Sequence, residues 1–427
     1  MRSLSKFWLF SFGCLIPFSN FITKAQAEDW PRWRGPRNDG TSTETGLPAS
    51  WSKTENIKWR VELPGPAPST PIIWRDRIFL TATSGSSLVL MGLNTDGKIL
   101  WQKTLGSGNY EIRQDESNAA SPSPSTDGKY VWVKFGTGIL ACFDFEGNEI
   151  WRFDLQKRYQ PFSMYHGMSS SPLLDGDRLY LQLLHTNEQL VLALDKNTGR
   201  EIWKHTRKTD ATEESLHSYA TPFLYRFGKQ KFLLTHGSDY VVAHDLKDGR
   251  ELWRCGGLNN KQNYNPFFRF VASPVASSGL IVVPSAKNGP VLGLNPANAT
   301  GDITQNKSDY HWRLTENTPD VPSPLVHDGL VYLCRENGVL ICLDAKTGEQ
   351  YYLERTHNQR HRASPVYADG KIYLMATDGV TTVVKAGKKF EKLAQNTIEE
   401  RVSASLAPAN GVIYLRSYKA LYAIAQK

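Results

Sequence analysis

The sequence predicts an all-β fold, an eight-bladed β-propeller of four-stranded antiparallel blades that is closed by an N-terminal strand. Two observations lead to this prediction. A unit of about fifty residues recurs along most of the chain, and the last copy lacks a strand that an early segment could supply. Small sheets that repeat in this way bury their apolar faces against their neighbours, and a closed ring leaves few exposed edges.

Each copy opens with small residues and a proline. Successive prolines are 51, 50, 50, 52, 50 and 41 residues apart, and Leu406 follows after 41 more in a degenerate eighth copy. We expect one blade for each copy. The openings are Ser69-Thr70-Pro71, Ser121-Pro122, Ser170-Ser171-Pro172, Ala220-Thr221-Pro222, Ala272-Ser273-Pro274, Pro322-Ser323-Pro324, Ala363-Ser364-Pro365 and Ala404-Ser405-Leu406.

The rest of each copy is typical of short antiparallel strands joined by tight turns. In the third copy, Asp175-Gly176-Asp177 precedes an apolar run, and a glycine at this place favours a hairpin because it adopts positive φ without a Cβ clash. A second turn ends at Gly199, and the strand after it contains Trp203. Three or four such strands make one propeller blade.

Aromatic residues recur in the predicted fourth strand. We expect each of them to dock over the neighbouring blade and to bury about 150–250 Å². This regular repetition favours packing over a ligand cage. The residues are Trp101, Trp151, Trp203, Trp253 and Trp312, followed by Tyr351 or Tyr352 and Phe390 in later copies.

The eighth copy ends at residues 421–424, in the position of a third strand, and residues 56–61 resemble the missing fourth strand. A ring closed by an N-terminal strand that completes the last blade would remove exposed edges that otherwise favour aggregation. We therefore divide the chain into a signal peptide (1–27), an N-terminal leader segment (28–55) and a propeller domain (56–427). Closure predicts that deleting residues 54–62 lowers the melting temperature strongly and that deleting residues 28–40 matters less.

The first residues have the pattern of a secretory signal. Arg2 and Lys6 precede a mainly apolar stretch at residues 7–18, and Ala25-Gln26-Ala27 is a cleavage site of the A-x-A type. Cleavage removes three basic residues and no acidic one, so the formal net charge falls from +8 to +5. We expect an exported monomer in the periplasm or cell envelope, without a membrane span after cleavage. The absence of long Lys/Arg runs argues against nucleic acid as a partner.

These copies resemble the PQQ-like, or quinoprotein-type, repeat, and the leader from Trp30 to Gly40 is similar to one in exported PQQ-like proteins of planctomycete-type bacteria. The resemblance implies a propeller, and it covers two kinds of function. Some members are PQQ-dependent dehydrogenases, and others are non-catalytic propellers such as the outer-membrane assembly factor BamB. The third copy carries the motif most fully, through Ser171, Pro172, Asp175, Gly176, Tyr180, Ala193, Leu194, Asp195, Thr198, Gly199 and Trp203.

The sequence favours a binding or scaffolding module for a protein, peptide or envelope polymer, and we predict no cofactor. PQQ chemistry needs a hard cation such as Ca²⁺ held by several oxygens, and neither an Asp/Asn-rich calcium loop nor the adjacent cysteine pair of many quinoprotein alcohol dehydrogenases is present. A PQQ- and Ca²⁺-dependent alcohol or sugar dehydrogenase using the central funnel remains the alternative. A third hypothesis is a polysaccharide lyase or hydrolase that uses channel histidines.

Polar residues precede the predicted inner strands and should converge on one end of the central channel. A ring with three arginines and two histidines would favour an anionic or polyhydroxylated ligand. Alternatively, these side chains satisfy loop carbonyls around a wet channel. The candidate ligand-binding residues at this channel mouth are Asn118, His166, His217, Arg269, Arg362 and Arg401. We predict no catalytic residue and no metal ligand.

Four cysteines follow the signal: Cys142, Cys255, Cys334 and Cys342. Cys334 and Cys342 are close in sequence, but a two-residue Asn-Gly turn would place them on opposite faces of a hairpin. We expect four buried thiols, although a bridge in another register stays possible on an exported chain.

Overall fold

A computed structural model describes residues 27–113 and 117–426. The predicted signal peptide lies outside the described residues except for Ala27. Across the described ranges, no helix is long and apolar enough to cross a bilayer.

Eight four-stranded antiparallel sheets are arranged in a ring, which confirms the predicted propeller. Blade 4 has an additional short parallel strand, Gly301–Asp302, beside its outer edge. Blades 1 to 4 consist of Ile72–Trp74, Arg77–Ser84, Ser87–Asn94 and Ile99–Ser107; Ser125–Thr126, Tyr130–Lys134, Ile139–Asp144 and Glu149–Asp154; Leu173–Asp175, Arg178–His185, Glu188–Asp195 and Glu201–Thr206; and Phe223–Phe227, Gln230–Gly237, Tyr240–His244 and Glu251–Cys255.

The second half of the ring repeats the same arrangement, with the innermost strand first in each blade. Blades 5 to 8 consist of Val275–Ser277, Leu280–Val283, Val291–Leu294 and Tyr310–Leu314; Leu325–His327, Leu330–Cys334, Val339–Asp344 and Gln350–Arg355; Val366–Ala368, Lys371–Met375, Val380–Lys385 and Lys392–Thr397; and Ala407–Ala409, Val412–Arg416, Ala420–Ile424 and the early strand Ile57–Glu62. The remaining elements are a two-stranded ribbon (Glu111–Arg113 and Ser117–Asn118), one α-helical turn (Leu155–Arg158) and three 3₁₀ turns (Glu213–Leu216, Lys261–Asn263 and Lys307–Asp309).

The ring closes as the sequence predicts. Ile57–Glu62 pairs antiparallel with Ala420–Ile424, so an N-terminal strand completes the last blade. Arg416 of blade 8 also donates from Nη1 to the carbonyl oxygen of Ser69, which precedes blade 1, at 3.1 Å. Both chain ends therefore contribute to a single closed unit.

Tryptophan side chains in the fourth strands bind the next blade, as predicted. In four of the five predicted tryptophans, the indole N–H donates to a carbonyl oxygen in the turn between the third and fourth strands of the following blade, and the turn glycine lies beneath the ring. A Cβ on Gly249, for example, would lie 2.4 Å from the ring of Trp203, and the φ of this glycine is +76°. The bonds are Trp101 to Phe145 (2.8 Å), Trp151 to Lys196 (3.0 Å), Trp203 to Leu246 (3.0 Å) and Trp312 to Ala345 (2.9 Å). The fifth, Trp253, packs in an apolar cluster that includes residues of blade 5.

Later copies differ in detail. Tyr352 is the buried aromatic of blade 6 and packs in one cluster with residues of blade 7. The prediction that Phe390 lies in a fourth strand is wrong, because that strand begins at Lys392. Phe390 instead lies in the preceding turn and packs edge-on against Tyr352, with ring centroids 5.6 Å apart.

All four described cysteines are buried free thiols. The prediction that Cys334 and Cys342 lie on opposite faces is wrong, because the observed register places them on the same face of adjacent strands. They are not directly opposed, since Cys334 is opposite Leu340 and Cys342 is opposite Tyr332. They therefore act as small apolar side chains of the blade cores.

Candidate functional site

A cavity of about 200 Å³ lies on the axis of the ring, where the openings of the eight blades meet. We call it the cup. Its lining is dominated by serine and threonine, with one tryptophan and a few charged or aromatic side chains. The lining residues are Trp33, Pro68, Thr70, Ser117, Ser121, Ser123, His166, Ser169, Ser171, Tyr219, Thr221, Arg269, Val271, Ser273, Val321, Ser323, Arg362, Ser364, Ser403 and Ser405.

Eight of these residues form what we call the hydroxyl collar, one from each blade opening. In seven successive pairs, the backbone N–H of one member donates to the side-chain oxygen of the next at 2.9–3.0 Å. The collar thus links neighbouring blades around the axis. Its members are Thr70, Ser123, Ser171, Thr221, Ser273, Ser323, Ser364 and Ser405.

The local sequence explains this geometry. Seven collar residues directly precede a proline, which restricts them to an extended backbone at the start of the inner strand. In blade 2 the collar residue is Ser123, before Pro124. The predicted opening of that copy, Ser121-Pro122, is therefore wrong by two residues, because the sequence carries two Ser-Pro pairs in succession.

The collar presents hydrogen-bond donors to the cup. Seven of its hydroxyl oxygens accept a backbone N–H, and no collar hydroxyl donates to a residue that the structure describes. A hydroxyl has one donor hydrogen and two acceptor sites, so each O–H stays available to a ligand. The cup consequently suits a ligand that is rich in acceptor oxygens.

The leader segment closes one end of the channel. Trp30 exchanges two backbone hydrogen bonds with Ile73 of blade 1, each 2.9 Å long. Arg32 donates from Nη1 to the carbonyl oxygen of Leu174 in blade 3 at 2.8 Å, and the leader also bonds to blades 2, 6, 7 and 8 through backbone and side-chain groups. Trp33 then lines the cup from this side. The leader is therefore the floor of the cup.

A buried cation lies next to this floor. Arg34 is 2% exposed and forms no ion pair with a described residue. Its Nη2 donates to the carbonyl oxygen of Pro324 at 2.6 Å, and its Cζ lies 5.9 Å from the ring of Trp33. Burial lowers the pKa of Arg34 to about 10. The guanidinium is still charged at neutral pH and makes the floor of the cup electropositive.

Three of the predicted channel-mouth residues, His166, Arg269 and Arg362, line the cup. Each lies beside a carboxylate: His166 Nε2 is 3.2 Å from Glu214, Arg269 is 3.2 Å from Asp320, and Arg362 is 3.4 Å from Glu336. These pairs fix the side chains at the wall of the cup.

Burial and electrostatic contacts act differently on the three carboxyl groups. Burial raises the pKa of Asp320 and outweighs the effect of Arg269. Burial also opposes ionisation of Glu336, but Arg362 and Arg360 hold its pKa below the usual range. Burial opposes ionisation of Glu214 as well, and here the contact with His166 keeps the pKa low.

The other three predicted residues do not line the cup. Asn118 donates from Nδ2 to the carbonyl oxygen of Pro66 at 2.9 Å and so binds a loop carbonyl, which was the alternative interpretation. His217 is 1% exposed and lies with Nε2 2.9 Å from the hydroxyl oxygen of Thr186. Arg401 is an exposed residue outside the cup lining.

A family model for the "outer membrane protein assembly factor BamB" matches residues 41–151, 94–352 and 302–389, which together span most of the chain. The chain belongs to the BamB family of PQQ-repeat propellers. No curated protein sequence matches this BamB-family chain.

Solved structures agree on the fold. BamB from Moraxella catarrhalis is 15% identical, with a TM-score of 0.64 over 86% of this chain and 98% of that one. A quinohemoprotein alcohol dehydrogenase from Comamonas testosteroni is 13% identical, with a TM-score of 0.66 over 93% and 81%. A europium-containing methanol dehydrogenase is 12% identical, with a TM-score of 0.66 over 92% and 90%. At these identities the likeness concerns the fold alone.

Sequence reasoning missed the collar, Trp33 and Tyr219 as parts of this BamB-family cup. The collar was visible as the Ser or Thr before each repeated proline, but the pattern suggested only turn formation. Burial and the nearby Glu214 raise the pKa of Tyr219, so its hydroxyl stays protonated and adds a donor to the wall. Nothing in the sequence indicates that the leader folds back onto the axis.

Proposed function

We propose that this BamB-family chain is an exported, non-catalytic binding module whose cup holds an acidic, oxygen-rich group of a protein, peptide or envelope polymer. The observation that supports this most directly is the collar, in which no hydroxyl donates to a described residue. Hydrogen bonds to a charged acceptor contribute about 1.5–3 kcal/mol each, so several donors around one group give useful affinity.

The charges around the cup support an anionic group. Arg34 lies beside the floor without an ion-pair partner among the described residues, and Arg269 and Arg362 lie at the wall. Arg269 faces Asp320, whose raised pKa weakens the opposing negative charge. Preorganised donors and cations around a concave site are the usual means by which proteins recognise carboxylate, sulfate or phosphate groups.

The family supports an envelope location, since the matched model describes an outer-membrane assembly factor. Export to the periplasm or cell envelope, a monomeric state and the absence of nucleic-acid partners belong to this proposal. A protein partner is one of the ligands that it includes.

A PQQ-dependent oxidoreductase is supported only by the fold shared with quinoprotein dehydrogenases. Calcium beside PQQ would need several oxygen ligands directed at one point. No acidic side chain lines the cup, and the three carboxylates next to it pair with His166, Arg269 and Arg362. The described residues contain no group of three or more His, Cys, Asp or Glu arranged to hold a metal. These residues therefore do not fit a calcium–PQQ pair.

Titration calorimetry on the mature chain tests the proposal, with a hexagalacturonate, a hexaglutamate peptide and a neutral dextran hexamer as probes. The double variant Ser273→Ala/Ser323→Ala removes two collar donors. We expect at least one acidic probe to bind, the neutral probe to bind at least tenfold more weakly, and the double variant to lose about tenfold or more in affinity for the acidic probe.

Ser277→Ala/Ser278→Ala is the matched control, because both serines are exposed at the end of the inner strand of blade 5. It should bind like the parent chain. Equal binding of acidic and neutral probes, or unchanged binding by the collar variant, contradicts the proposal. Stoichiometric PQQ uptake with alcohol turnover in the presence of Ca²⁺ would overturn it in favour of the oxidoreductase. Glycan cleavage that His166→Ala abolishes would overturn it in favour of a lyase or hydrolase.

A further inference from the structure

A second cavity, of about 240 Å³, lies beside the cup among blades 5, 6 and 7. We call it the side pocket. Two ion pairs separate the cavities: Arg269 and Arg362 line the cup, whereas their partners Asp320 and Glu336 line the side pocket. The side-pocket lining is Lys287, Thr318, Asp320, Arg335, Glu336, Asn337 and Arg360.

The side pocket carries an excess of positive charge. Lys287, Arg335 and Arg360 outnumber the two acidic residues of the lining. Lys287 is exposed and forms no ion pair with a described residue. Arg335 binds the side-chain amide oxygen of Asn317 at 3.1 Å, which leaves its charge uncompensated by a carboxylate.

One buried hydroxyl in the side pocket lacks a partner among the described residues. The hydroxyl oxygen of Thr318 has none, although the residue is only 6% exposed. Burying a hydroxyl without a hydrogen bond is unfavourable. An anionic ligand that accepts a hydrogen bond from the Thr318 O–H recovers this cost.

Two exposed aromatic residues lie close in sequence to residues that line the cup. Tyr165 is 52% exposed and directly precedes His166, and Phe267 is 58% exposed and lies two residues before Arg269. His166 and Arg269 both line the cup. Large exposed rings beside a binding cavity offer flat apolar faces for a ligand to stack on.

We infer that the side pocket is a second subsite for a carboxylate or sulfate group, and that the ligand is an acidic polysaccharide whose chain end occupies the cup. This inference rests on the proposed function and names its ligand class. A polysaccharide is favoured over an acidic peptide because it carries acidic groups on rigid rings, can place two of them in adjoining cavities, and has ring faces that stack on Tyr165 and Phe267.

Binding measurements with four probes test the inference: hexagalacturonate, its methyl-esterified form, a sulfated neutral hexasaccharide and hexaglutamate. The esterified probe keeps the sugar chain but lacks the charge. The variant Lys287→Ala/Arg335→Ala removes two side-pocket cations. We expect hexagalacturonate or the sulfated probe to bind the parent chain at least tenfold more tightly than the esterified probe, and the variant to lose that difference.

The control Lys229→Ala/Lys247→Ala makes the same charge change at exposed turns of blade 4 and should bind like the parent. Comparing the carboxylated and sulfated probes shows which acidic group the side pocket accepts. Hexaglutamate binding as tightly as the glycans with the same loss in the variant overturns the inference in favour of an acidic peptide, and the failure of both acidic glycans to bind also overturns it.

The two proposals fail in different ways. If Ser273→Ala/Ser323→Ala weakens acidic glycan binding but Lys287→Ala/Arg335→Ala does not, the function of the cup stands and the side-pocket subsite falls. If neither variant weakens binding of any acidic probe, both proposals fall.

Discussion

The indole N–H of Trp59 donates to the carbonyl oxygen of Thr95 at 2.9 Å. Trp59 belongs to the early strand that completes blade 8, and Thr95 lies in the turn between the third and fourth strands of blade 1. The bond has the same geometry as that of Trp101 to Phe145 in the next pair of blades, at 2.8 Å. The junction that closes the ring is therefore equivalent to the junctions made by Trp101, Trp151, Trp203 and Trp312.

Replacement of Trp59 by Ala should weaken this closure. The half-buried indole loses its packing against Tyr414, at 6.0 Å between ring centroids, as well as its hydrogen bond. We expect the free energy of unfolding to fall by about 2 kcal/mol, measured by urea denaturation. Ile150→Ala, at a 45% exposed position, is the control and should stay within about 0.5 kcal/mol of the parent chain. An equal effect of both variants contradicts the role of Trp59 in closure.

Deletion of either N-terminal segment should lower the melting temperature. Loss of residues 54–62 removes the closing strand, as the sequence predicts. Loss of residues 28–40 also removes the buried side chains of Trp30 and Arg34 and their bonds to blades 1 and 6. We therefore expect the leader deletion to have a clear effect of its own, and the order of the two effects stays a prediction. Differential scanning calorimetry of both deletions checks this, and an unchanged melting temperature for 28–40 contradicts it.

Replacement of Gly35 by Ala should loosen the leader. Gly35 has φ +79°, and an added Cβ would lie 2.6 Å from the ring of Trp30. Gly46 has a similar φ of +71° but open space around its Cβ, so Gly46→Ala measures backbone strain alone, about 1 kcal/mol. We expect Gly35→Ala to cost about 1–3 kcal/mol more than this control and to expose the leader to limited proteolysis. Equal costs for the two variants contradict a tightly packed floor.

Buried histidines should make the fold sensitive to acid. Burial lowers the pKa of His185 and His361 to about 4 and that of His236 and His244 to about 3. The unfolded chain takes up these protons near pH 6.5, whereas the folded chain does not. Their contribution to stability is thus complete above pH 6.5 and is lost as the pH falls toward 4, by up to about 1.4 kcal/mol per pH unit for each histidine.

Urea denaturation at pH 7.5, 6, 5 and 4.5 measures this dependence. His236→Leu removes one of the four groups and should reduce the slope between pH 6.5 and 4.5. An unchanged slope in that variant would show that His236 is accessible to protons in the folded state.

We expect Lys134 to destabilise blade 2 at neutral pH. The Lys134 side chain is fully buried, and its Nζ has no hydrogen-bond partner among the described residues. Burial lowers the pKa of Lys134 to about 7. We expect Lys134→Met to raise the free energy of unfolding at pH 7 by about 1–3 kcal/mol. The gain should shrink as the pH rises from 7 to 10.5, because the unfolded lysine then also becomes neutral. A destabilised variant at pH 7 contradicts this interpretation.

The sequence predicted the fold well because the repeat acts locally. Proline openings, turn glycines and fourth-strand aromatics have similar neighbours in most blades, so the interpretation of one copy applies to most of the others. Errors occurred where a copy departs from the pattern. Two Ser-Pro pairs at residues 121–124 hid the opening of blade 2, and a longer turn before Lys392 moved Phe390 out of its expected strand.

The site was predicted only in part, because it depends on loops that differ between copies. His166, Arg269 and Arg362 reach the cup, whereas His217 packs behind Tyr165 with ring centroids 5.2 Å apart. Whether a loop directs its side chain into the cup or packs it against a neighbouring loop depends on the length and contacts of that loop. The repeat does not specify either. The floor at Trp33 depends on contacts between the leader and distant blades, which have no periodic signal.

The collar both lines the cup and joins neighbouring blades, and this double role limits the substitutions by which the binding site can change. Seven of the eight collar hydroxyls also accept the backbone N–H that joins two blades, so a substitution that adapts the pocket to another compound also weakens a contact between neighbouring blades. Changes in the loops at the open end carry no such penalty. New specificities should therefore arise in descendants of this chain mainly by replacement of loop residues, while the inner ring of Ser and Thr persists.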